Sequence, residues 1–203
     1  KIYGIKERRF WKRGMLPSEM SAMSVRKAIS ATSLPLNEFG MLVHASVCRD
    51  SLEPATASIV HGKLNLPPTM ILYDVSNACL GFVNGMIQAA SMIELGHINA
   101  AIVVSTESSR QLVENTISEL NSDRSLTRKS IKPSIASLTI GSASVAAVLT
   151  SSEISNTGHR LFGGSYLSDT SSSGLCRGTE DQAANKQMAP LMQTHSDELL
   201  TKG

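Results

Sequence analysis

The sequence holds only three cysteines, Cys48, Cys79 and Cys176, far apart and without a CxxC pair. An odd, scattered set supports neither a disulfide scaffold nor a thiolate zinc site, so no metal is expected. It suits a reducing, cytoplasmic compartment and leaves each thiol free to be inert or reactive. Aromatic residues are scarce too, with one Trp, three Tyr and four Phe, all scattered. An excess of either charge is also missing. The formal net charge is +2, and basic residues cluster only in KERRFWKR, residues 6–13. A single basic run is usually a solvated face, and nucleic-acid binding needs more clusters or an aromatic platform. Nucleic acid is therefore not an expected partner. Long apolar runs are absent as well: Ala100–Val104 and Ala143–Leu149 fall far short of the roughly 20 residues a membrane span requires. No basic-then-apolar leader opens the chain, whose first residue is Lys1, and nothing argues for secretion.

What is present is a globular composition, 41% apolar over 203 residues, enough for one domain with a substantial core. Short Val/Ile/Leu-rich runs predict strands at Gly40–Val47, Met70–Val75, Ala100–Thr106 and Ala143–Thr150, with a weaker fifth at Arg160–Tyr166. Helical patterns lie between them. Ser18 is placed to cap a helix running to about Ala31, and Pro54 suits the first turn of another reaching about Leu64. Leu80–Leu95 forms a third helix, ended by Gly96, and Ser108–Leu120 a fourth. Strands joined by helices of this length imply an α/β fold with a mostly parallel sheet covered on both faces.

The third helix is apolar on two faces. Leu80, Val83, Ile87 and Ala90 mark one, and Phe82, Met86, Ala89 and Ile93 the other. Such a helix lies inside a molecule, with a layer on each side, so the architecture exceeds a single helix–sheet–helix sandwich. From Leu167 to Gly203 the chain turns rich in Ser, Thr, Gly, Asp and Gln and loses periodicity. Residues 1–166 thus read as the folded part, and 167–203 as a connecting segment towards further structure.

The stretch MILYDVSNACLGFVNG, residues 70–85, sets Cys79 between a buried strand and a buried helix. Two readings stand. Free Cys is among the most buried residue types, so Cys79 is core filler. Alternatively, a sulfur at a helix N-terminus meets unpaired N–H groups that favour thiolate and can hold an oxyanion, so Cys79 is a nucleophile. Small neighbours (Ala78, Gly81 and Gly85) would then let a substrate approach the backbone.

DVSNACLGFVNG resembles the active-site turn of the thiolase superfamily, in the branch of 3-oxoacyl-ACP synthase III. YGIKERRF (3–10) is similar to that family's "TGI-R-R" segment, and IGSASVAAVL (140–149) to its Gly-rich "GDGA-A-VL" strand. CRDSLEPAT (48–56) and SNACLGF (76–82) look most like the olefin-biosynthesis thiolases that join two long acyl-CoAs head to head. Ser142 and Ser144 stand where the family often has Asp and Gly.

The resemblance implies a layered αβαβα fold, represented by its N-terminal half. It implies that Cys79 takes an acyl group from coenzyme A as a thioester. It further implies that Glu53 reaches across a homodimer into the partner's site as the base acting on a second acyl chain. The residues alone leave a second reading open, in which Glu53 merely complements a helix N-terminus. Coenzyme A thioesters, or acyl-ACP, are the expected substrates, with no resident cofactor. The family's catalytic His and Asn belong to its second half; His44, His61, His97, His159 and His195 match no motif and are expected to be structural or exposed. Trp11 follows the "TGI"-like segment, whereas the family's tryptophan precedes it. Three activities remain open: non-decarboxylative condensation of two acyl-CoAs, decarboxylative condensation with malonyl-ACP, and a thiolase-like subunit that condenses nothing by itself.

Overall fold

The structure is a computed structural model that describes residues 4–171, 173, 176–179 and 191–194. The chain divides into two compact units. The larger comprises Lys12–Glu107 with Ala143–Ser165. Along it run α1 (Pro17–Ser30), β1 (Phe39–Ala45), α2 (Thr56–Leu64), β2 (Ile71–Val75), α3 (Gly81–Glu94), β3 (Ala100–Glu107) and β4 (Ala143–Thr150). The four strands form one sheet in the order β2-β1-β3-β4, parallel except for β4, which runs antiparallel to β3. The expected α/β class with a mostly parallel, mixed sheet is what the chain adopts.

Alternation along the strands sorts the core into two layers. Leu42, Ile102 and Val104 face α1 and α2, packing on Val25 and Val60. Met41, Val43, Ala45, Ala101 and Val103 face α3, packing on Ala89 with Phe82 and Met86. A register shift between Phe39 and Met41 lets Phe39 share the α1/α2 face with Leu42, which strict alternation would forbid. The centre of the sheet is fully buried, and each large apolar side chain there contributes about 1.5–3 kcal/mol.

Helix α3 lies tight on the sheet because of Gly85. A Cβ there would stand 3.0 Å from Val103 Cγ1 and 3.3 Å from Val43 Cγ1. Gly96 ends the helix as expected. Its φ is +72°, and the N–H groups of Gly96 and His97 donate back to the carbonyls of Ile93 and Met92.

Four expectations change. Helix α1 starts at Pro17 rather than being capped by Ser18. The Glu19 carboxylate accepts the Leu16 N–H (2.8 Å), and the Ser18 N–H goes to Asp50 Oδ1 (2.8 Å). A distant carboxylate thus takes the part assigned to a local hydroxyl. Pro54 lies two residues ahead of α2 instead of in its first turn. Arg160–Tyr166 forms no strand; it is exposed coil, with Gly164 approaching Ile87 of α3. Finally, the second apolar face of α3 is only partly covered among the described residues: Ile87 and Ala90 are half-buried, while Val83 is 49% exposed and Leu80, in the turn before the helix, 61%.

The second unit comprises Lys1–Trp11, Ser108–Ser142 and Tyr166–Gly203. Its elements are α4 (Arg110–Ser122), α5 (Ile135–Thr139) and an antiparallel pair, β5 (Cys176–Thr179) and β6 (Leu191–Thr194). Arg110 ties the N-terminal segment to α4. Its Nε and Nη2 both donate to the Trp11 carbonyl (3.0 Å), and its guanidinium lies 5.2 Å from the Phe10 ring centre. In KERRFWKR the basic side chains are exposed while Phe10 and Trp11 are half-buried, as a solvated face requires. The Ser142 N–H donates to the Arg9 carbonyl (2.7 Å), and Ser142 Oγ accepts the Ser109 N–H (3.1 Å). The tail 167–203 was expected only as a connection; it contains β5 and β6, and much of its remainder, His195 included, lies outside the described residues.

Candidate active site

Three parallel strands end at one edge of the sheet, the edge where open α/β sheets bind ligands. Beyond β2 comes the turn Ser76–Leu80 with Cys79; beyond β1 comes the loop 46–55 with Glu53; Glu107 closes β3. Strands β1 and β2 are neighbours in register, Ala45 opposite Val75, so both turns leave the sheet side by side.

The turn carrying Cys79 is held by its own backbone. Ala78–Leu80 form a single 3-10 turn, in which the Leu80 N–H donates to Asn77 O (2.9 Å) and the Gly81 N–H to Ala78 O. Asn77 Nδ2 donates to Asn84 Oδ1 (2.6 Å), fastening the turn to the first coil of α3. Ala78 sits at φ +42°, a left-handed conformation that costs a non-glycine residue about 1–3 kcal/mol. The core-filler reading of Cys79 fails on exposure, because the thiol is a free, exposed cysteine. The helix-terminus argument also needs correction. Cys79 lies two residues before α3 rather than at its first position, and the N–H groups of Leu80 and Gly81 are already used within the turn. Gly81 and Gly85 are buried towards the sheet, so they serve close helix–sheet packing rather than substrate approach.

The loop 46–55 is held quite differently, by carboxylates from elsewhere. Glu107 accepts the N–H groups of Val47 (Oε1, 2.8 Å) and Cys48 (Oε2, 3.2 Å). Asp50, within the loop, binds the N-terminus of α1 through Ser18. Asp74 at the end of β2 accepts the Thr56 N–H (Oδ2, 2.7 Å) and the Ala57 N–H (Oδ1, 2.8 Å), capping α2 where the loop enters it. Between these fixed points Glu53 projects into solvent, beside Leu52, which is 79% exposed. No hydrogen bond or ion pair joins Glu53 to Cys79. What the fold brings together is their two loops on one sheet edge.

Beneath this edge lies a buried polar layer. Thr106 Oγ1 bonds the hydroxyls of Ser21 and Ser144 (2.7 Å each), and the Thr106 N–H donates to Ser46 Oγ (2.7 Å). Ser144 therefore does positive work at a position where the resemblance left a departure. His44 is wholly buried here, with Nδ1 3.9 Å from Asp74 Oδ1, and burial pushes its pKa down, against the opposing pull of Asp74, Glu107 and Asp50. His61 bonds the Pro67 carbonyl (2.9 Å), while His97 and His159 are exposed. The expectation of structural or exposed histidines fits His61, His97 and His159, whereas His44 is buried with neither nitrogen hydrogen-bonded; no sequence-based expectation gave Asp74, Glu107 or Asp50 a role. A carboxylate closing an apolar strand, as in ILYDV and AAIVVSTE, is the signal that marks two of them. Among the described residues no cluster of side chains suits a metal ion, and no helix is long and apolar enough to cross a membrane.

The family described as 3-oxoacyl-[acyl-carrier-protein (ACP)] synthase III matches residues 73–169. The acyl-CoA:acyl-CoA alkyltransferase of Shewanella oneidensis is 37% identical over 205 residues, covering 100% of this chain and 58% of that protein. The β-ketoacyl-[acyl-carrier-protein] synthase III of Hyphomonas neptunium is 30% identical over 111 residues, 55% of this chain and 34% of its own. The crystal structure of a Xanthomonas campestris OleA variant with bound lauric acid and lauroyl-CoA superposes with a TM-score of 0.85 at 35% identity, covering 97% of this chain and 55% of that one. The chain spans about half the length of the curated relatives it matches.

Proposed function

Because the chain belongs to the thiolase-like 3-oxoacyl-ACP synthase III family, we propose that it is part of an acyltransferase that condenses two fatty acyl-CoAs without decarboxylation. One observation carries the choice of reaction. The synthase III match spans residues 73–169 and so includes Cys79 but not Glu53, whereas the alkyltransferase match takes in the whole chain, Glu53 and its loop included.

In this reading the Cys79 thiolate attacks the thioester carbonyl of a first acyl-CoA, forming acyl-cysteine and expelling the coenzyme A thiolate. Glu53 removes an α-proton from the second acyl-CoA. The resulting carbanion attacks the acyl-cysteine carbonyl and releases the Cys79 thiolate. Water then cleaves the product thioester to a 2-alkyl-3-oxo acid and coenzyme A. A malonyl donor needs no such base, since loss of carbon dioxide supplies its carbanion. Glu53 is exposed and makes no hydrogen bond or ion pair with the Cys79 of its own chain, which suits action across a homodimer. The same reading makes the protein a cytoplasmic enzyme without a resident cofactor. The partly open apolar face at the start of α3, with Val83 49% exposed, supports a further layer, one that supplies the His and Asn of the family's pocket.

Glu53→Ala in the complete polypeptide tests the assignment. Acylation of Cys79, read as the mass of the acyl adduct, should stay within about twofold, while condensation falls at least about a hundredfold. Parallel loss of both would remove Glu53 as the base. Labelled malonyl-ACP separates the reaction classes: rapid release of carbon dioxide coupled to product would favour the decarboxylating enzyme instead.

A further inference from the structure

We propose that His44 is a positioning residue for this reaction: its buried imidazole backs Asp74 and through it holds the α2 end of the loop that carries Glu53. The inference rests on the assignment of Glu53 as the base.

His44 occupies the α1/α2 side of β1, two residues beyond Leu42. Its register neighbours are Asp74 on β2 and Val104 on β3. Val104 belongs to the apolar cluster, and apolar packing alone would be served by a second aliphatic residue at position 44. Instead the site holds an imidazole of 0% exposure whose two nitrogens have no hydrogen-bond partner. Buried polar groups are nearly always paired, and one left unpaired opposes folding. Stability does not explain this histidine.

The 3.9 Å gap from Nδ1 to Asp74 Oδ1 is longer than a hydrogen bond but short enough for a small ring shift to close. Asp74 Oδ1 already accepts the Ala57 N–H, and a carboxylate oxygen has room for a second donor. Once the ring shift closes that gap, the imidazole N–H holds the carboxylate aimed at Thr56 and Ala57, three and four residues beyond Glu53. The charged groups around the imidazole all sit on the elements that frame the loop: Asp74 on β2, Glu107 on β3, and Arg49 and Asp50 in the loop itself. A shift of Asp74 would therefore pass directly to the Glu53 segment, and small misplacements of a reacting group cost large factors in rate.

The test compares His44→Asn, whose side-chain amide stands where Nδ1 stands, with His44→Gln, whose amide reaches the Nε2 position, both in the complete polypeptide. His44→Asn should keep condensation within about threefold, and His44→Gln should lose about tenfold or more in kcat with KM little changed. Acylation of Cys79 should stay within about twofold in both. Amide exchange at Thr56 and Ala57 should quicken in the Gln variant alone. Equal loss of acylation and condensation in both variants, or full condensation and unchanged exchange in the Gln variant, would overturn the proposal. Should Glu53→Ala leave condensation intact, the base assignment fails, while exchange at Thr56 and Ala57 still decides whether His44 holds Asp74.

Discussion

The two loops at the carboxyl edge of the sheet solve the same problem by opposite means. The Cys79 turn is short, and it is secured by bonds among Asn77, Ala78, Leu80, Gly81 and Asn84. The 46–55 loop is longer and has few bonds of its own; it is secured by Glu107, Asp74 and the Asp50–Ser18 contact, each spanning many residues of sequence. A group that forms a covalent bond gains from a rigid local scaffold. A group that must meet a substrate arriving from elsewhere gains from an exposed arm whose root is fixed and whose tip is free. In the proposed reaction the exposed Leu52 and Glu53 are that tip.

Removing the root should do the most damage. Asp74→Ala takes away both N–H acceptors at the start of α2 and leaves His44 facing an uncharged wall. A loss of about 2 kcal/mol in urea unfolding is expected, together with weakened condensation. If stability falls while condensation per folded molecule is unchanged, the loop needs no fixed root and the contrast collapses.

The Cys79 turn should respond with the opposite sign. Ala78→Gly relieves the left-handed φ of +42° and should raise stability by about 1 kcal/mol, less the entropy glycine adds to the unfolded chain. Acylation should slow as the turn loosens. A destabilised variant would mean that the turn stores no strain.

The smallest effect concerns pH. Burial lowers the pKa of His44, so the folded state binds its proton less readily than the unfolded chain does. Stability from this group is therefore fully present above the ordinary histidine pKa of about 6.5 and drains away as pH falls towards the lowered value. Thermal unfolding of the wild type should weaken over that window more than that of His44→Gln. Asp74, Glu107 and Asp50 oppose the shift and Arg49 adds to it, which keeps the effect modest.

Much of the fold was legible because it rests on local pattern. β-branched runs bounded by helices gave β4 residue for residue and placed β1, β2 and β3 within two residues at each end. Gly96 stopped α3 because only a residue at ease with positive φ closes a helix that way. The failures share a cause. Arg160–Tyr166 has strand-like composition, but a strand needs a neighbour, and the coil finds none among the described residues. Ser18 had the right chemistry for a cap, yet Asp50 supplied a charged acceptor from across the loop.

The sequence by itself determined the order of elements, the class of sheet, and the place of Cys79 in the turn between a strand and a helix. Each is written in residues close together in the chain, where backbone preference and side-chain pattern act directly. Only the tertiary structure decided that Asp74 holds α2, that Glu107 holds the loop's beginning, and that His44 lies unpaired beneath them. Those contacts join residues that neighbour one another only after the parallel strands have paired, and no local propensity encodes them.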